Sequence, residues 1–158
     1  MVELTLAEIP AACPLELGVT GWTRLTQERI DAFAAATGDE QWIHVDPARA
    51  EREAPAGTTI AHGMLTLSVV PGLIPALLRI ADAGARLNYG VESVRFLTSV
   101  PRDGEVRLRA RLAHGEPRAG GVLYRVACEV ELRGAERPAA VADFLSLARP
   151  SSASANPR

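Results

Sequence analysis

Hydrophobic and polar positions follow two different periods in the two halves of the chain. In the first half, apolar residues recur with helical spacing over 27–37, between Thr26, which can cap a helix, and Gly38, which suits its end. An Asp-Pro pair then predicts the start of a short polar helix over 47–53. The most apolar stretch, 60–80, predicts a long buried helix.

The second half of the chain alternates between apolar and polar residues, as half-buried strands do. From about 86 to 148 the pattern predicts strands over 106–112 and 122–132, and less regular strands over 87–98 and 138–148. Glycines and a proline separate these runs as turns, so the strands are expected to pair antiparallel.

These elements predict an α+β fold in which an antiparallel sheet wraps a long central helix. An apolar helix must be covered, and a curved sheet of about four strands can cover it. The length of 158 residues fits one domain. We expect that domain to span 1–149, followed by a polar, disordered tail over 150–158.

Composition and charge exclude several classes of function. The net charge is −2, so nucleic acid and anionic membranes, which select basic proteins, are not expected as partners. All 17 basic residues are arginine, which excludes a lysine Schiff base. The 60–80 stretch contains Pro71, Pro75 and Arg79, which favours a buried helix over a membrane span. The acidic N-terminal segment lacks a signal-peptide pattern, and we expect a cytoplasmic protein.

Candidate acid–base chemistry lies in the segment 36–47. Asp39 and His44 are five residues apart in a predicted loop, where a carboxylate and an imidazole can hold one water and move its proton at neutral pH. The alternative interpretation is a helix cap and a surface histidine.

A second candidate group lies at the start of the apolar helix. His62 and Gly63 occupy that position, where a backbone N–H can hold a carbonyl oxygen as it gains negative charge. Alternatively, Gly63 only permits close packing and His62 only bonds locally. Trp42 could line an acyl pocket or simply pack. His44, His62 and Asp46 lack the pattern of supporting hydrogen-bond partners that metal ligands have, so no metal is predicted.

Together the two segments resemble the MaoC-like dehydratases, the family that includes the (R)-specific enoyl-CoA hydratases. The matching motifs are TGDEQWIHVD at 37–46 and IAHGML at 60–65, and the strand–loop–strand over 87–112 is also similar. The resemblance extends over 25–147 and looks closest to the nodulation-protein-N-like branch.

The resemblance implies a hot-dog fold, a homodimer and an acyl-CoA substrate, with no metal or redox cofactor. It implies that Asp39 and His44 are the catalytic pair and that the Gly63 amide binds the thioester carbonyl. The family's Asn-Pro is replaced here by Gln41-Trp42, which with His62 could contact substrate. The implied activity is reversible syn hydration of trans-2-enoyl-CoA to (3R)-hydroxyacyl-CoA. Alternatives are a thioesterase, an acyl-carrier-protein dehydratase, or a non-catalytic acyl-CoA-binding subunit.

Overall fold

The computed structural model describes residues 1–151 and places short helices before and between the strands. The helices are α1 (Ile9–Ala12), α2 (Gln27–Thr37), α3 (Trp42–Val45), α4 (Pro47–Glu53), α5 (Gly63–Ser68) and α6 (Val70–Leu73), followed by a 3-10 turn over Ile74–Ala76.

The strands form one large antiparallel sheet and one small parallel pair. They are β1 (Val2–Leu4), β2 (Leu15–Val19), β3 (Thr23–Leu25), β4 (Leu78–Ile80), β5 (Ala83–Phe96), β6 (Gly104–Arg118), β7 (Gly121–Leu132) and β8 (Ala140–Pro150). The large sheet has the order β2-β6-β7-β8-β5, and β3 also pairs with β6. The predicted α+β class and antiparallel sheet are confirmed.

The helix predicted over 27–37 is confirmed as α2. It ends at Gly38, which has the left-handed φ of 77° that glycine adopts without strain, and whose N–H bonds the carbonyl of Ala34. The predicted helix over 47–53 is α4, and the Asp46 side chain accepts a hydrogen bond from the Arg49 amide at its start.

The long helix predicted over 60–80 is wrong in its extent. Helical structure begins only at Gly63 and is divided into α5, α6 and the 3-10 turn. Pro71 and Pro75 lie inside this stretch, and proline has no N–H to continue the helical hydrogen bonds. The stretch ends in β4, which pairs in parallel with β1 at the start of the chain.

The N-terminal segment also contributes more structure than its pattern predicted. Besides β1, it provides β2 and β3, which both pair with β6. The expectation of about four strands is therefore corrected, because the large sheet has six. These early strands are short, and their partners lie far away in the sequence.

The core lies on the inner face of the sheet, against α2, α5 and α6. The inward residues of β6 and β7 are buried as their alternation predicted: Val106, Leu108, Ala110, Leu112, Val122, Tyr124, Val126, Cys128 and Val130. Burial, with a smaller contribution from the charge of Asp143, raises the pKa of the Cys128 thiol to about 12. Cys128 is therefore a packing residue rather than a nucleophile.

The outer face of β6 carries the arginines Arg107, Arg109 and Arg111. The guanidinium groups of Arg107 and Arg109 both bond the carboxylate of Glu131, and Arg111 lies 3.8 Å from Glu16. These arginines are partly solvent-exposed and are paired with carboxylates.

At the C-terminal end, β8 extends to Pro150, and the Ser151 amide bonds the carbonyl of Asp82. The remainder of the predicted tail, 152–158, lies outside the described residues. Among residues 1–151, every helix is too short or too polar to cross a lipid bilayer.

Candidate active site

The turn that follows α2 carries Asp39, and the short helix α3 carries His44. The Gly38 cap ends α2 and leads the chain into this turn, where the Asp39 side chain is exposed. The sequence predicted a loop at His44, but residues 42–45 form a helical turn in which the His44 amide bonds the Gln41 carbonyl. His44 is buried, with 6% of its surface exposed.

The orientation of the His44 ring is fixed by a backbone carbonyl. Its Nδ1 lies 2.7 Å from the carbonyl oxygen of Ile60, and a carbonyl can only accept a hydrogen bond. In a neutral ring the proton is therefore on Nδ1, and Nε2 carries a lone pair. This is the tautomer required of a base that uses Nε2.

The main chain around His44 is held by Gln27, a residue that the sequence did not single out. Its side-chain amide donates to the carbonyl of His44 at 2.8 Å, and its side-chain oxygen accepts a hydrogen bond from the Thr59 hydroxyl at 2.6 Å. Gln27 thus joins α2, α3 and the segment before α5. Only the fold brings together residues 32 positions apart, so no local signal could have identified this contact.

Gly63 and His44 line the same small cavity. As the first residue of α5, Gly63 has an N–H with no intrahelical acceptor. The ring of Phe96 covers its Cα closely, since a Cβ built on Gly63 would lie 3.1 Å from ring carbons. The cavity has a volume of about 280 Å³ and is lined by His44, Ile60, Ala61, Gly63, Thr66, 96–100 and Ala139. The contribution of residues 96–100 to the lining of this cavity was not predicted from the sequence.

Asp39, His44 and His62 come together in space. One ring nitrogen from each histidine and a carboxylate oxygen of Asp39 lie within 4.8 Å of one another. Such spacing could suit a cation, but the two rings are stacked at 3.8 Å with an angle of 28° between them. The lone pairs of stacked rings point alongside each other rather than converging on one ion. One nitrogen of each ring is also occupied by a backbone carbonyl.

The three residues assigned to a possible substrate pocket have different surroundings. Gln41 is exposed at the start of α3. Trp42 is covered by the guanidinium of Arg49, 4.3 Å above its ring. His62 is 2% exposed and lies beneath the His44 ring. All three are outside the set that lines the cavity beside Gly63, and contact with substrate stays a prediction for each.

A larger depression, of about 400 Å³, lies elsewhere on the molecule. It is lined chiefly by outward side chains of the sheet, including Arg109, Glu129 and Asp143. The smaller cavity is the one lined by His44 and Gly63, and it is therefore the candidate site.

Residues 16–131 match the family described as MaoC like domain. The chain belongs to this family. The match includes Asp39, His44 and Gly63, and it extends over most of the sheet. The MaoC-like chain is an enzyme of the dehydratase, or hydro-lyase, type.

Relatives of this MaoC-like chain cover nearly its whole length. It is 40% identical over 142 residues to 3-hydroxyacyl-thioester dehydratase Z of Mycobacterium tuberculosis, covering 89% of this chain and 93% of that protein. It is 40% identical over 151 residues to Nodulation protein N of Rhizobium leguminosarum bv. viciae, covering 93% and 92%. The resemblance to the nodulation-protein-N-like branch is confirmed.

A solved structure supports the hot-dog fold. R-hydratase PhaJ1 from Pseudomonas aeruginosa superimposes with a TM-score of 0.71 at 22% identity, over 90% of this chain and 87% of that one. At this identity the likeness establishes the fold, and the hot-dog prediction is confirmed.

Proposed function

We propose that this MaoC-like enzyme catalyses the reversible hydration of a trans-2-enoyl-CoA to a (3R)-3-hydroxyacyl-CoA. The observation that carries the proposal is the hydrogen bond between His44 Nδ1 and the Ile60 carbonyl, which leaves a lone pair on Nε2 of the neutral ring. His44 lines the same cavity as Gly63, and the Asp39 carboxylate lies close to the His44 ring. The 40% identical dehydratase Z, whose name specifies a 3-hydroxyacyl thioester, supports this substrate class.

The water is the nucleophile in the proposed reaction. Asp39 and His44 each offer an acceptor, so together they can hold both hydrogens of one water molecule and direct its oxygen at C3. As the C3–O bond forms, one of the pair takes a proton from the water and electrons move onto the thioester oxygen. The Gly63 N–H stabilises that oxygen. The proton is then delivered to C2, and the double bond has gained the elements of water.

The face of addition follows from where these groups lie. His44 and Gly63 both line the cavity, and the Asp39 carboxylate lies close to the His44 ring. One water site then supplies both the hydroxyl and the proton, so we propose syn addition. Every step of the proposed reaction uses groups of Asp39, His44, Gly63 and the thioester. The proposed reaction uses no metal and no redox cofactor.

Mixing the purified protein with crotonyl-CoA tests the reaction class. We expect loss of the enoyl absorbance without release of free thiol. Thiol release would instead identify a thioesterase, and binding without either change would identify a non-catalytic subunit. Repeating the assay with crotonyl thioesters of pantetheine and of an acyl-carrier protein compares the carriers directly.

We also propose a homodimer formed along β5, in the cytoplasm. Within the described chain, β5 pairs only with β8, which leaves its other edge without a strand. Its exposed side chains include Leu87, Tyr89 and Val91. An exposed apolar edge favours pairing with another strand, and a second copy of β5 would supply one.

Sedimentation at micromolar concentration checks the dimer. We expect a mass of about twice the 16.8 kDa chain, because pairing of two β5 strands satisfies both edges. A mass of one chain across the concentration range would contradict it.

A methyl group on Gly63 is expected to impair the reaction. The Cβ of Gly63→Ala would lie 3.1 Å from the Phe96 ring, so the ring must shift beside the proposed carbonyl site. A misplacement of this kind can cost much of the rate, and we expect kcat/KM for crotonyl-CoA to fall at least about tenfold. Gly72→Ala is the matched control, because its Cβ meets no atom within 4 Å. Equal kcat/KM values for the two variants would show that Gly63 is not part of the active site.

A further inference from the structure

His62 is a buried histidine for which the proposed reaction has no role. It is 2% exposed and immediately precedes α5. Its ring is stacked on His44 at 3.8 Å and lies 5.1 Å from the ring of Phe33. It therefore contacts the acid–base pair from beneath while belonging to the segment that presents Gly63.

The His62 ring also bonds the main chain of Asp39. Its Nε2 lies 2.9 Å from the Asp39 carbonyl oxygen, which can only accept, so Nε2 carries the proton. Within residues 1–151 this is the one hydrogen bond that joins Asp39 to a residue beyond its own turn. The position of the Asp39 main chain thus depends on His62.

The two stacked rings are held in opposite tautomers. Nδ1 of His44 faces the Ile60 carbonyl, whereas Nε2 of His62 faces the Asp39 carbonyl. In the neutral His62 ring, Nδ1 is then unprotonated, and it is buried with no protein partner among the described residues.

We propose that His62 is a positioning residue that ties the Asp39 turn to the start of α5. As a neutral Nε2–H tautomer, it fixes the distance between Asp39 and the Gly63 amide and supports the His44 ring from beneath. The expected loss of kcat rests on the proposed function, whereas the expected tautomers of His62 and His44 do not. Asp39 and the carbonyl site lie on separate segments, and the His62 side chain bonds the Asp39 main chain directly.

Two complementary variants separate the hydrogen bond from the stacking. His62→Phe keeps a ring against His44 but removes the donor, whereas His62→Gln keeps an amide donor near the Nε2 position but removes the ring. We expect kcat for crotonyl-CoA to fall at least about tenfold in His62→Phe with KM within about twofold, because Asp39 is misplaced. His62→Gln should retain more activity than His62→Phe. His114→Phe is the matched control, since His114 is an exposed residue of β6.

The tautomers provide a readout that does not depend on activity. The chain has three histidines, so a spectrum of ¹⁵N-labelled imidazoles contains three rings, and His62→Gln and His114→Phe assign them. We expect the wild-type spectrum at neutral pH to show His62 as the Nε2–H tautomer and His44 as the Nδ1–H tautomer.

The two readouts distinguish failure of the inference from failure of the proposed function. An Nδ1–H or doubly protonated His62 overturns the inference, and so does a His62→Phe enzyme with wild-type kcat. If wild-type protein hydrates no enoyl thioester, the proposed function fails and the tautomers alone decide the inference. If His62→Phe does not fold, the wild-type spectrum and the kcat of His62→Gln decide it. In that case a Gln variant that loses kcat at least about tenfold speaks against the hydrogen bond as the connection.

Discussion

Replacing Asp39 by Asn or His44 by Ala is expected to lower hydratase turnover at least about a hundredfold. General acid–base groups contribute about 10²–10⁴ to rate, and each variant removes one of the two groups proposed to exchange a proton with the attacking water. In Asp39→Asn, the new amide keeps the shape of the carboxylate but cannot take a proton. The measurement is kcat for crotonyl-CoA, followed as loss of enoyl absorbance.

The controls for this pair separate chemistry from folding. Glu40→Gln removes a neighbouring exposed carboxylate, and His114→Ala removes an exposed histidine, so both should keep turnover close to wild type. His44 is buried, so His44→Ala also leaves a cavity, and His44→Gln should be measured beside it. Turnover within a fewfold of wild type in Asp39→Asn or in His44→Gln would refute the assignment of that residue.

Replacing Gly121 by Ala is expected to cause the largest loss of stability among single glycine substitutions. A Cβ on Gly121 would lie 2.0 Å from the carbonyl oxygen of Ala148, which belongs to the backbone of β8. Backbone in a paired strand cannot move aside cheaply, so β7 and β8 must separate locally. We expect a loss of about 3 kcal/mol, at the upper end for overpacking, which corresponds to a fall in Tm of roughly 6–12 °C.

Thermal unfolding followed by circular dichroism measures this effect. Gly72→Ala is again the control, because α6 has room for its Cβ and alanine favours a helix more than glycine does. If Gly121→Ala melts at the wild-type temperature, the close pairing of β7 with β8 at this position is incorrect.

Elements with strong local signals could be predicted from the sequence. The capping position of Thr26 and the left-handed Gly38 mark both ends of α2, and the alternation along β6 and β7 identifies their buried faces. Pairing between distant segments could not be predicted. Strand β1 pairs with β4, 76 residues later, and three residues carry too little pattern to identify either strand. The prediction of one long helix over 60–80 was wrong because Pro71 and Pro75 lack the N–H groups that would continue it.

The candidate site likewise combines residues that short motifs predict with contacts that only the tertiary fold creates. Asp39, His44 and Gly63 are predicted because they lie in two short motifs that resemble those of the family, and the fold brings His44 and Gly63 to one cavity near Asp39. The connection from Gln27 to Thr59 and the contact of Phe96 with Gly63 depend on tertiary packing alone. His62 was assigned to a possible substrate pocket, but burial beneath His44 could not be inferred from its position in the motif.

The handedness of the product is the sharpest check on the proposed site, because it depends on how the water, Asp39, His44 and the Gly63 amide are arranged. Crotonyl-CoA is hydrated by the wild-type protein, and the 3-hydroxybutyryl-CoA is offered to a dehydrogenase specific for the (S) enantiomer. We expect the dehydrogenase to leave the product unoxidised and chiral analysis to give (3R). Rapid oxidation, which means a (3S) product, would contradict the proposed arrangement of water and thioester in the cavity.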